Sequence, residues 1–453
     1  MLPEDLRQAA DAYVTGGGFE AELARAVAHR TVGGDPAGRP HLHAYLTGQL
    51  APALREDGFE VALHEPGPAP FLLAHRREDP ARPTVLLYGH ADVVDVSIPW
   101  RPDLDPWTLT REGERWYGRG SADNKGQHLL NLAALRLLLA HRGRLGFNVT
   151  VLVESAEEVG SPGLARFAAG HREELRADVL VASDGPRVAA DRPTLFLGTR
   201  AAAQVHLDVD LRPDARHAGN WGGVLRNPAT TLAAAIACLV DGDGRSLVPA
   251  LAAPAVEEDV REALRAVPEP DSSPGWGDPH LSAAERLHAG NTLEVLALGA
   301  GDVEHPVGAI PGRARAVLQF RYVAGTDVTR VQEALRAHLD ARGFGAVAVR
   351  AAGEAASRTP LSDPWVRWAR AVLEPATHGR LVVLPSLGGT LPNGVFTDVL
   401  GLPTLWLPHS YPGCGQHAAD EHLPVEVARD GLRTVLELFA ALGEDGGPRQ
   451  QSQ

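Results

Sequence analysis

The sequence predicts an α/β protein: a mixed, mainly parallel sheet with flanking helices, into which a smaller α+β domain is inserted. Three observations predict it. Short, wholly apolar runs such as Thr84-Val-Leu-Leu-Tyr88 end at glycine and alternate with helical patterns, as in a sheet buried on both faces. The periodicity then changes near Leu197-Gly-Thr-Arg200, after which residues 203–211 alternate apolar with polar side chains, the signature of a half-exposed strand. Beyond residue 358 the strand–helix alternation returns. The length of 453 residues accommodates two or three domains at about 150 residues each.

Residues 4–58 carry helical patterns broken by glycines, and strands follow at 60–64, 71–75 and 84–88. A long helix is expected over 127–140, where Leu129, Leu130, Leu132, Ala133 and Leu137 line one broad side. Strand 148–154, helix 162–169 and strand 178–183 complete the first block. The inserted block has strands at 203–211, 314–322 and 346–349, helices at 228–240 and 328–341, and a Pro/Gly-rich stretch at 267–278. Helix 362–373, strands 381–384 and 403–407 and helix 424–442 resume the first pattern. The expected division is therefore 1–197 and 359–443 for one domain, 198–358 for the insertion, and 444–453 as a polar, disordered tail.

Composition excludes several classes. With 43 Lys+Arg against 57 Asp+Glu the chain carries a net charge of −14, so it is not a nucleic-acid binder that works by broad phosphate neutralisation. Two cysteines far apart, Cys238 and Cys414, make neither a disulfide framework nor a thiolate zinc site. No apolar run reaches the roughly 18 residues of a membrane span, and the acidic start lacks the pattern of a secretory signal. A cytoplasmic protein without membrane or nucleic-acid partners is expected. Its single lysine, Lys125, falls inside a motif; the dominance of arginine elsewhere carries no functional message.

The chemistry-bearing residues cluster at strand ends. Gly89-His90-Ala-Asp92 ends the first buried strand, and in extended chain His90 and Asp92 share a face, where an Asp can accept the second ring N–H of a metal-binding His. Gly118-Arg-Gly-Ser-Ala-Asp123-Asn-Lys-Gly126 is a glycine-rich turn into a helix, yet it matches neither the P-loop nor the dinucleotide pattern. Taken alone, Asp123 reads as a helix N-cap. Glu154-Ser-Ala-Glu157-Glu158-Val-Gly-Ser ends another apolar strand with adjacent carboxylates, and Ser183-Asp184-Gly ends a third. Cys414-Gly-Gln-His417-Ala-Ala-Asp-Glu421 follows a late strand, with His409 and His422 as rival histidines. Five strand ends offering His, Asp or Glu at one edge of an α/β core favour a shared cation site. Neither GxSxG nor HExxH occurs, which argues against serine hydrolases of the elbow type and helix-borne zinc proteases.

In order and spacing, GHxD, GRGxxDxKG, ExxEExGS, SDG and the late HxxxE resemble the signature set of the M20 metallopeptidases, a family of carboxypeptidases, carnosinase-like dipeptidases and N-acyl amino acid deacylases. The resemblance implies a zinc-peptidase-like catalytic domain interrupted by a lid that often mediates dimerisation, hence a homodimer. It implies two divalent ions, zinc first and manganese or cobalt as substitutes, held by His90, Asp123, Glu158, Asp184 and His417, with Asp123 bridging. The four-residue spacing to Glu421 selects His417 over His422. It further implies Glu157 as general base, Asp92 as the residue that orients His90, and His217 as a donor to the developing oxyanion. Arg321 would bind a substrate carboxylate, and Gly388, Gly389 and Thr390 would line the substrate loop. Arg321 also fits an ordinary surface strand arginine. Asn124, where many members carry Asp, tilts the resemblance toward dipeptidases.

Three carboxylates supply −3 against +4 from two divalent ions, a balance that favours ionised water at neutral pH. Hydrolysis of dipeptides or short peptides is the leading expectation. N-acyl amino acid deacylation uses the same machinery and is the alternative. A catalytically silent metal-binding scaffold is disfavoured by Glu157 and His217, which holding metal does not require.

Overall fold

The computed structural model describes residues 1–67, 69–270 and 272–448. The chain divides into two compact units, the first comprising 1–198, 358–387 and 391 onward, the second 199–357 and 388–390.

The first unit is built on an eight-stranded sheet in the order Glu60–His64, Phe71–Arg76, Asn148–Glu154, Thr84–His90, Val179–Ala182, Thr404–Trp406, Thr194–Phe196, Val382–Leu384. Its centre is parallel: Thr84–His90 pairs in parallel with both Asn148–Glu154 and Val179–Ala182, and Thr404–Trp406 pairs in parallel with the latter. The first two strands and the Trp406–Phe196 pairing are antiparallel. All seven residues of Asn148–Glu154 are buried, as an apolar run in a covered parallel sheet requires. The helix Val425–Asp445 packs against Lys125–Arg142, Glu4–Thr15 and Pro364–Ala376. At Gly89, a Cβ would stand 2.7 Å from the Cβ of His128, so only glycine lets the Lys125–Arg142 helix approach the strand end this closely. The last helix runs to Asp445, so residues 444 and 445 of the expected tail are helical; residues 449–453 of that tail lie outside the described residues.

The second unit holds a four-stranded antiparallel sheet in the order Thr292–Gly299, Arg313–Tyr322, Ala201–Asp210, Val347–Gly353. The alternation in Ala201–Asp210 sends Ala203, Val205, Leu207 and Val209 into a core with Leu232, Leu318, Phe320 and Leu335, the helices Pro228–Leu239 and Val331–Asp340 supplying the leucines from outside the sheet. On the other face Asp208 bridges Arg315 and Arg350 of the two neighbouring strands. The helix expected from 328 opens as a single 3₁₀ turn, Val328–Arg330, because the Asp327 side chain accepts from Thr329 N there. Of the Pro/Gly-rich stretch, Asp271 lies outside the described residues.

Candidate metal centre

Four consecutive segments of the first unit and one late loop deliver the site. His90 ends its strand fully buried, with Nδ1 2.9 Å from the carbonyl oxygen of Asp92. A carbonyl only accepts, so Nδ1 carries a proton and Nε2 is the ring nitrogen turned to the carboxylates, which hold the imidazole well above its ordinary value against the cost of burial; a metal ion would take the Nε2 proton's place. Nε2 lies 3.2 Å from Asp123 Oδ1 and 3.6 Å from Asp184 Oδ2. Asp92 departs from the simple expectation: its carboxylate, 3.4 Å from the ring, mainly accepts the backbone N–H groups of Glu157 and Glu158, each at 3.1 Å. It thereby holds the acidic pair in place as well as the histidine.

Asp123 divides its oxygens. Oδ1 faces His90, while Oδ2 is 3.2 Å from Nε2 of His417. Asn124, not Asp123, takes the position ahead of the Lys125–Arg142 helix, so the N-cap reading of Asp123 fails. The Asn124 side chain donates to Ser183 O at 2.7 Å and accepts from His90 N and His128 Nδ1, tying two strand ends to the start of the Lys125–Arg142 helix. His417, at φ 60°, places Nε2 3.0 Å from Glu158 Oε2. His90, Asp123 and Glu158 each offer a ligand atom within 4.8 Å of the others. The rival histidines point elsewhere: His409 bonds to Ser183 and Asn131, and His422 to Asp420 O.

The electrostatics are those of crowded anions. Burial pushes the Glu157 carboxyl up to about 9, with Asp184, Glu158 and Asp123 adding to the rise against His90. Burial likewise raises Asp184 to about 7. Hydrogen bonding to Asp123 and Glu158 lifts His417 to about 10. Among the described residues, buried Glu158 Oε1 and Asp184 Oδ2 meet no hydrogen-bond partner. Buried carboxylate oxygens left without donors, beside the Nε2 atoms of two histidines, suit divalent cations. The residues present fit such ions.

Sequence reasoning used Glu421 only to choose between histidines. Buried at the back of the centre, it accepts from Arg119, Gly120, Ala122 and Asp123. The HxxxE spacing was visible, but its partner's identity was not, since Arg119 looks like any glycine-flanked arginine. In the second unit, Arg321 is half-buried, with Nη1 3.3 Å from Gly388 O and 3.5 Å from Thr390 Oγ1; Gly389 lies between them in the chain. Arg200 joins them, Nε 3.3 Å from Gly388 O, and was not singled out from sequence. Burial and the charge of Arg321 push Arg200 down to about 10. His217 is exposed on a two-residue strand paired with Ala309–Ile310.

A fold of this class with carboxylates and histidines at its strand ends marks a metallopeptidase family: the model of peptidase family M20/M25/M40 matches residues 86–441, and the chain belongs to that family. Among curated relatives, the Beta-Ala-His dipeptidase of Mus musculus is 34% identical over 184 residues, 40% of this chain and 37% of that protein. The Cysteinylglycine-S-conjugate dipeptidase of Corynebacterium striatum is 29% identical over 322 residues, 68% of this chain and 70% of that protein. The chain spans about two fifths of the length of the first curated relatives it matches. The structure of human carnosine dipeptidase 1 superposes with a TM-score of 0.78 at 23% identity, covering 97% of this chain and 98% of that one, and shares its fold.

Proposed function

We propose that the protein is a metal-dependent hydrolase that cleaves the amide bond of dipeptides or short peptides. The observation that carries this is Asp123, whose two oxygens are apportioned to His90 and His417 beside two buried, unpartnered carboxylate oxygens. His90, Asp123 and Asp184 would hold one divalent ion, and Asp123, Glu158 and His417 the other. Such ions polarise a carbonyl and lower the pKa of water from about 15.7 to about 7. Three carboxylates and two imidazoles suit zinc and admit manganese or cobalt.

Glu157, held by its backbone to Asp92, takes a proton from water and returns it to the leaving amine. Its carboxyl is raised by burial first and by the neighbouring carboxylates second, and divalent cations would offset both. Arg321, with Gly388, Gly389 and Thr390 alongside, binds a substrate carboxylate, and His217 donates to the developing oxyanion. The second unit serves as lid and dimerisation domain. Its edge strand Thr292–Gly299 exposes Val295, Leu296 and Leu298, an apolar sheet edge that a second copy would cover. Among the described residues no helix is long and apolar enough to cross a membrane; a cytoplasmic site of action is part of the proposal.

The test is a panel of dipeptides and N-acetyl amino acids assayed with metal-loaded and chelated enzyme. Dipeptide turnover that requires metal supports the reading. Turnover of the N-acyl panel alone transfers the site to a deacylase. Metal binding with no hydrolysis of either class leaves a scaffold.

A further inference from the structure

We propose that Glu421 and Arg119 form a buried clamp that sets the metal affinity of the centre by fixing Asp123 and His417 relative to each other. The inference rests on the proposed metal centre. The two residues are nearly inaccessible, 0% and 1% exposed, and neither reaches the reacting groups by any observed contact. Glu421 Oε1 accepts from Ala122 N at 2.8 Å and Asp123 N at 2.9 Å; Oε2 accepts from Arg119 Nη1 at 2.8 Å and Gly120 N at 3.0 Å. Its own carbonyl accepts from Gly118 N at 3.0 Å. Arg119 Nη2 then donates to Ala418 O at 2.9 Å, next to His417.

The result is a closed ring through two segments some three hundred positions apart in sequence. One carboxylate gathers three N–H groups of one loop, those of Gly120, Ala122 and Asp123, the last being the backbone of the residue that faces both histidines. One guanidinium ties the same carboxylate to the loop that carries His417. That loop needs tying, because His417 and Asp420 both have positive φ, at 60° and 58°. Glu421 is a positioning residue: without it Asp123 and His417 lose their fixed separation, and an ion would have to organise them on binding.

The experiment titrates chelated protein with Zn²⁺ in parent, Glu421→Gln and Arg119→Met. Glu421→Gln keeps the Oε1 contacts and loses two acceptances; Arg119→Met removes the donations to Glu421 Oε2, Ala418 O and Asp95 O while leaving Glu421 its three loop N–H groups. Both variants are expected to bind Zn²⁺ about 10–100-fold more weakly, in the range of residues that support metal ligands. At saturating Zn²⁺ the KM for a dipeptide should stay within about twofold of the parent, since substrate contacts are untouched. Glu22→Gln, which weakens a half-buried pair with Arg136 elsewhere, controls for general destabilisation and should leave Zn²⁺ affinity unchanged. Parent-like affinity in either folded variant, or an equal loss in Glu22→Gln, overturns the clamp while leaving the hydrolase reading standing. A parent that binds no divalent ion overturns both.

Discussion

Glu157 shows how one side chain is separated from its neighbour by task. Glu158 turns Oε2 toward His417, whereas Glu157 has no such contact and is held through its backbone N–H to Asp92. Replacing Glu157 with Gln should lower kcat by about 10²–10⁴-fold, the usual contribution of a general base, with metal content unchanged by elemental analysis. Loss of metal together with activity would instead make Glu157 a ligand. At this scale the sequence was informative about where chemistry-bearing side chains fall. GHxD and SDG put His90 and Asp184 at strand ends, and the structure brings them within 3.6 Å. It was uninformative where the partner is distant in the chain. Arg200 and Arg119 are single arginines in a chain full of them, and only folding shows which carbonyl or carboxylate each meets.

Among elements, the Lys125–Arg142 helix behaves as the beam under the site. Its first turn carries His128, which donates from Nδ1 to Asn124 Oδ1 at 3.0 Å and accepts from the Tyr45 hydroxyl at 2.7 Å. Burial depresses His128 to about 3, with the charges of His90 and Lys125 adding to the effect. Between that value and the ordinary value near 6.5, the unfolded chain binds a proton that the folded chain refuses. Stability therefore falls as pH is lowered through this window. Calorimetric Tm values at pH 7 and 4.5 should drop more in the parent than in His128→Gln; equal slopes would refute the contribution. The edge strand Thr292–Gly299 gives a second test. Leu296→Lys puts a charge on the exposed edge and should convert a dimer to a monomer in sedimentation equilibrium, whereas an unchanged mass would place any interface elsewhere. This strand was not legible in advance. A bulge between Val295 and Ala297 breaks its two-residue period, so Leu293, Val295, Leu296 and Leu298 fit no single face. Ala201–Asp210, with ten residues of unbroken alternation, was legible because nothing interrupts the pleat.

For the whole molecule, metal and fold are linked if the ions bind only the assembled centre. Ligand at about a thousand times its Kd adds about 4 kcal/mol to stability, so chelation should lower Tm as well as abolish turnover, and added Zn²⁺ should restore both. Turnover lost at unchanged Tm would mean that the ions bind weakly or only with substrate. The alternation of strands and helices revealed the α/β architecture, and the antiparallel strands Glu60–His64 and Phe71–Arg76 at one edge were expected, while several of the shorter strands escaped it. Thr194–Phe196 and Arg115–Tyr117 are three residues each, too short for any period to register.

The strand Thr404–Trp406 sits inside the sheet, between Val179–Ala182 and Thr194–Phe196, yet it follows them in the chain only after the whole of the 199–357 segment. A nascent chain that has already exposed His90, Asp123, Glu158 and Asp184 still lacks the stave that joins the two halves of its sheet. It also lacks His417, only eleven positions further on. Ribosomal synthesis thus delivers scaffold closure and the last of the proposed ligands almost together, long after the other four have left the ribosome.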